Sequence, residues 1–133
     1  MSTINVNVVQ STGGTVTIND NLIVTGTNNI RPYKVYTAII NQGGTNPPNT
    51  AILENTIGAV SWGRTQEGFY TLTSSGLFVQ YKTSILNSIS NANTQVITNW
   101  VDVNTIYVYT FTSAGALQDG VMNNTTFEVR VYD

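Results

Sequence analysis

Thr126–Tyr132, TFEVRVY, is the stretch that decides the fold class. Phe127, Val129 and Val131 fall on one side of an extended chain and Glu128, Arg130 and Tyr132 on the other, the two-residue period of a half-buried strand. Upstream, Asn104–Thr112 (NTIYVYTFT) is aliphatic on one side, with Ile106 and Val108, and aromatic on the other, with Tyr107, Tyr109 and Phe111. That pattern reads as a central strand covered on both faces. Further strands are expected at 33–41, 51–54, 58–64, 67–73, 78–82 and 94–101, separated by the turn signals NQGGTNPPN, EG, SSG, SAGALQDG and NN. Residues 83–92 read as a short helix or a loop crossing between sheets. Short strands at this spacing predict an all-β chain, a single antiparallel, jelly-roll-like β-sandwich over 31–133.

Composition narrows what such a sandwich can do. Only 9% of the 133 residues are charged, against roughly 25% in ordinary soluble proteins, and 21 Thr, 17 Asn and 9 Ser supply uncharged hydrogen-bonding groups instead. The five basic residues, Arg31, Lys34, Arg64, Lys82 and Arg130, are dispersed and the net charge is −2, so nucleic acid is not expected as a partner. No Cys and no His are present, which removes disulfides, thiolate nucleophiles, zinc–thiolate sites and the commonest general base. No apolar run approaches the ~18 residues of a membrane span, and the start lacks the pattern of a signal peptide, so membrane insertion is not expected and synthesis in a cytoplasm is.

Residues 1–30 differ from the rest. They contain no aromatic residue and one charge, Asp20, and seven of their apolar residues, Ile4, Val6, Val8, Val16, Ile18, Leu22 and Val24, occupy even positions. This is the pattern of an extended N-terminal β-ribbon, interrupted at Gly13-Gly14, with one apolar face that a thin ribbon cannot bury alone. Either it lies on the following domain, or copies from several chains bury one another, which makes these seven residues the candidate oligomer interface. The boundary falls near Asn28–Pro32. The scarcity of basic residues in the clear strands also leaves the sheet edges without their usual charged guards, a second argument for assembly.

Gly14–Thr27, GTVTINDNLIVTGT, resembles a segment of the form TINGNLTVTGT that recurs ahead of the main domain in tail fibres, tailspikes and other trimeric bacteriophage appendages. It departs from that form at Asp20 and Ile23, where Gly and Thr are usual. Tyr33–Pro48 (YKVYTAIINQGGTNPP), Leu53–Gly58 (LENTIG) and Phe127–Asp133 (FEVRVYD) are similar to small domains of phage virion proteins. The resemblance implies a structural component of a phage virion, a homotrimer assembled through its N-terminal segment and contacting other virion proteins, as a fibre module or a capsid-surface decoration.

Catalytic readings are weak. A glycosidase needs two carboxyl groups ~5–9 Å apart, and Glu54, Glu67, Asp102 and Asp119 are the candidates, but each reads more simply as a solvated loop or strand-end charge. A Ser or Thr nucleophile lacks a base. Asp20, Asp102 and Asp119 are isolated from one another, with no calcium-loop spacing, and the GGT turns at 13–15 and 43–45 are not phosphate cradles; no cofactor or metal is expected. The sequons of Asn123–Thr126 carry no weight without a secretory signal. A module that binds host surface glycan is the alternative, with Trp62, Tyr70, Tyr81 and Trp100 as flat rings for sugar; Trp62 and Tyr81 are its candidate contacts, set against core packing for the tryptophans.

Overall fold

In the computed structural model, which describes residues 31–88 and 93–133, eight strands form two four-stranded antiparallel sheets. They are β1 (Tyr33–Asn41), β2 (Asn49–Asn55), β3 (Ser61–Gln66), β4 (Phe69–Thr73), β5 (Thr83–Asn87), β6 (Thr94–Asp102), β7 (Thr105–Thr112) and β8 (Thr125–Tyr132). The first sheet has the order β2-β1-β8-β5 and the second β3-β4-β7-β6. This is the expected single antiparallel β-sandwich. The β4–β7 pairing nests inside β1–β8, as pairings do in a jelly roll, and hairpins β1–β2, β3–β4 and β6–β7 are added to it.

Alternation drives the packing. Tyr36, Ala38 and Ile40 of β1 and Phe127, Val129 and Val131 of β8 point inward from the first sheet. Tyr70 and Leu72 of β4, Ile106 and Val108 of β7 and Val96 of β6 meet them from the second. Each fully buried side chain of this size contributes ~1.5–3 kcal/mol. The connections close the ends of the core: Ile57, Phe78 and Met122 leave the strands and are buried among the same residues.

Two expectations need correction. The segment 78–82 is not a strand: Phe78 turns into the core with no exposed surface, Lys82 N–H closes a turn onto the Val79 carbonyl, and Tyr81 adopts a left-handed φ of 62°. The strand begins at Thr83 instead, inside the stretch read as helix or loop, and pairs with β8 from Thr83↔Val131 to Asn87↔Phe127. Because β6 belongs to the other sheet, the chain does cross between sheets after β5. Among the described residues there is no helix.

β7 is an inner strand, as expected, but only its Ile106–Val108 side is fully covered; Tyr107, Tyr109 and Phe111 lie half-buried on the outside of the sandwich. The edges are also better guarded than basic residues suggested. Leu53 in β2, Thr65 in β3 and Val101 in β6 have no cross-strand partner, so three of the four edge strands are bulged, and β5 has only five residues. Bulges and short strands deter edge pairing as charges do. The ribbon expected at 1–30, with Ile4, Val6, Val8, Val16, Ile18, Leu22 and Val24, lies outside the described residues.

Candidate functional site

The outer faces of the two sheets differ in chemistry. On the first, Arg130 of β8 pairs with Glu128, Arg31 binds both Glu54 oxygens at 2.8 and 3.0 Å, and both guanidinium groups lie near the Tyr33 ring, at 5.0 Å for Arg130 and 6.0 Å for Arg31. Both arginines are held above their ordinary pKa, chiefly by hydrogen bonds to their carboxylate partners. It is a charged, solvated face.

The second sheet presents none of this. Register places Phe69 opposite Tyr109 and Thr71 opposite Tyr107, with Ile97 on the other flank of Tyr109 and Gln95 beside Phe111. With Asn99, Thr73 and Thr105 these form an aromatic and uncharged polar face whose one charged strand position, Asp102, lies opposite Thr105 at the end of β6. The rings lock together. Phe69 stacks on Tyr109 at 4.7 Å and 13°, meets Tyr107 edge-on at 4.9 Å and 86°, and Phe111 continues the row at 6.3 Å from Tyr109. Beside them Gly63 leaves Thr71 room, since a Cβ there would come within 2.8 Å of the Thr71 hydroxyl. The flank is open, with Ile97 48% exposed.

The glycan candidates are dispersed. Trp62 points inward, its ring edge-on to Phe127 at 5.0 Å and its indole N–H donating to the Tyr36 hydroxyl at 3.1 Å. Trp100 packs against the same core and donates to the Phe78 carbonyl at 2.9 Å. Tyr70 is fully buried, whereas Tyr81 is 97% exposed on the turn before β5. Nothing brings Tyr81 and Trp62 to one site.

The acids are likewise apart. Glu54 is tied to Arg31, Asp102 accepts the backbone N–H of Asn104, and Glu67 is exposed in the β3–β4 turn. Asp119 departs from its reading as a solvated charge. It accepts from Arg64 at 2.6 Å, from the Tyr70 hydroxyl and from Gly68 N–H, and its side chain is only 16% exposed. The Arg64 hydrogen bonds, with those of Tyr70 and Gly68, hold the Asp119 carboxyl down at about 2, while burial and the neighbouring carboxylate push Tyr70 above its usual range. The cluster pins the β7–β8 connection to the β3–β4 hairpin. Among the described residues no three acids gather as a metal site.

At one end of the sandwich, a shallow depression of about 620 Å³ is lined by uncharged side chains including Asn93, Thr112, Gln118 and Asn124, and a second of about 520 Å³ by Gln42, Asn46 and Asn49 among others. Comparison adds no relatives. No family model, curated protein or solved structure matches the chain.

The aromatic side of β7 is legible in the sequence, but as an outer face and not the covered interior its apolar character implies. Only the register of β4 and β6 on β7 brings Phe69 and Ile97 to the same face. The alternation in FYTLT, with Phe69 opposite in phase to Tyr70 and Leu72, was the available signal.

Proposed function

We propose that this protein is a non-catalytic structural component of a bacteriophage particle, a homotrimeric fibre module or capsid-surface decoration protein that contacts itself and other virion proteins. The observation that carries the contact role is the aromatic outer face of the β3-β4-β7-β6 sheet. Ring orientation favours protein packing there over sugar binding. A sugar platform needs ring faces open to solvent, but Phe69 and Tyr109 cover one face of each other and Phe69 abuts Tyr107 edge-on. The placement in a phage particle rests on the similarity of Gly14–Thr27 and of the body segments to virion proteins. An electron-microscopy map of the intact particle tests it: density for this sandwich in copies of three around a tail or capsid axis is expected, and absence from purified particles refutes it.

The second reading, a receptor-binding tip that recognises host surface carbohydrate, is supported by the two amide-lined depressions, which offer the hydrogen-bonding groups that hydroxyls need. Titration calorimetry with host surface polysaccharide separates the readings. Saturable heat that is lost in Gln118→Ala favours the receptor-binding tip.

A further inference from the structure

We infer that the outer face of the β3-β4-β7-β6 sheet packs against a second copy of this chain; the inference rests on the structural reading above and assigns its contact surface. Three observations select this face. The edges are bulged or short, so strand addition at an edge is disfavoured and a face remains. The other outer face carries Arg31, Glu54, Glu128 and Arg130, already paired with one another and costly to desolvate. The aromatic face combines Phe69, Tyr107, Tyr109, Phe111 and Ile97 with uncharged Thr, Asn and Gln, and its one charged strand position, Asp102, lies opposite Thr105 at the end of edge strand β6, where it accepts the Asn104 N–H.

Size and chain path select the occupant. Four strands ~4.8 Å apart and up to ~26 Å long give a face of roughly 500 Å². Two such faces together approach the ~1,000 Å² at which a specific protein contact begins, and a second copy supplies a face of matching extent. Residues 1–30 of the same chain are less well placed. They join the sandwich at Arg31 and Pro32, which are tied to Glu54 and to Asp133 N–H beside the first sheet, on the layer opposite the aromatic face.

The absence of cysteine makes the test direct. Ile97→Cys places one thiol on the aromatic face, and Leu86→Cys places one on the charged face, where Leu86 is 45% exposed. Full-length protein is treated with a short bis-maleimide and resolved under denaturing conditions. Covalent dimers from Ile97→Cys, with few from Leu86→Cys, are expected. Ile97→Lys, at an exposed position that leaves the core intact, is expected to weaken self-association by about ten-fold or more, read by sedimentation, because a charge is buried without a partner. An assembled protein that shows neither effect overturns this surface assignment and leaves the structural reading standing. Wild-type protein that sediments as a monomer overturns both. A monomer in which the Ile97→Cys thiol resists maleimide overturns the second-copy assignment in favour of residues 1–30 as the cover.

Discussion

Gly68 sits at the β3–β4 turn with φ +62°, and a Cβ there would lie 2.5 Å from the Gln118 nitrogen and 2.7 Å from the Thr110 carbonyl oxygen. Both obstacles are backbone, so they cannot swing aside. Gly68→Ala is therefore expected to destabilise by more than the ~1–2 kcal/mol of a left-handed conformation alone, measured by urea unfolding. Asp119 next to it gives a pH signature. Its folded pKa of about 2 lies below the ~3.9 of an unfolded aspartate, so the unfolded chain binds the proton more readily. The stabilisation is complete above about pH 4 and is lost as pH falls through 2. Asp119→Asn should flatten that acid limb while lowering stability at pH 7 by about 1–3 kcal/mol, since Arg64 and Tyr70 lose a charged acceptor. An unchanged acid limb in equilibrium unfolding from pH 2 to 5 would count against this account.

Strands are where sequence and structure agree best, and the disagreements have local causes. β8 and the inner side of β7 were legible because strict alternation survives in TFEVRVY and in Ile106–Val108. The 78–82 segment departs from the strand expectation because Leu77 and Phe78, consecutive apolar residues, both pack on the end of the core instead of alternating across a sheet, while Val79 is exposed. Arg64 and Asp119, 55 residues apart, could not be paired by any spacing rule, since their meeting depends on where the β7–β8 connection lands. The tryptophans follow the core reading. Trp100 lies on β6 with its indole N–H bound at Phe78, so Trp100→Ala should remove both packing and the tie that holds the 77–78 cap, costing about 3–5 kcal/mol in denaturant unfolding. Emission from Trp62 and Trp100 is expected to be blue-shifted and resistant to acrylamide; a red-shifted, readily quenched spectrum would show that the indoles face water.

For the molecule as a whole, two features remain to be explained beside the sandwich core, the aromatic outer face and the even-numbered aliphatic residues in the sequence of 1–30. Among the described residues, Ile57, Phe78 and Met122 close the core between the sheets. Substitutions in residues 1–30 should therefore separate assembly from folding. We expect the full chain to scatter light with three times the mass of one copy, and Ile18→Asp or Val24→Asp to shift it toward monomer, because a carboxylate in a three-fold apolar contact meets its own copies and no counter-ion. The far-UV circular dichroism of the β-sandwich should persist in both variants. Loss of that signal would mean that residues 1–30 belong to the core, and a stable monomer of the unaltered chain at micromolar concentration would refute the trimer. A monomeric Ile18→Asp chain that still cross-links through Ile97→Cys at high concentration would divide the assembly into two contacts, the N-terminal segment closing the three-fold and the aromatic face, which meets its own duplicate about a two-fold, pairing copies of neighbouring trimers. That division is the expected one, since a face burying only ~1,000 Å² in a pair sits at the weak end of specific interfaces.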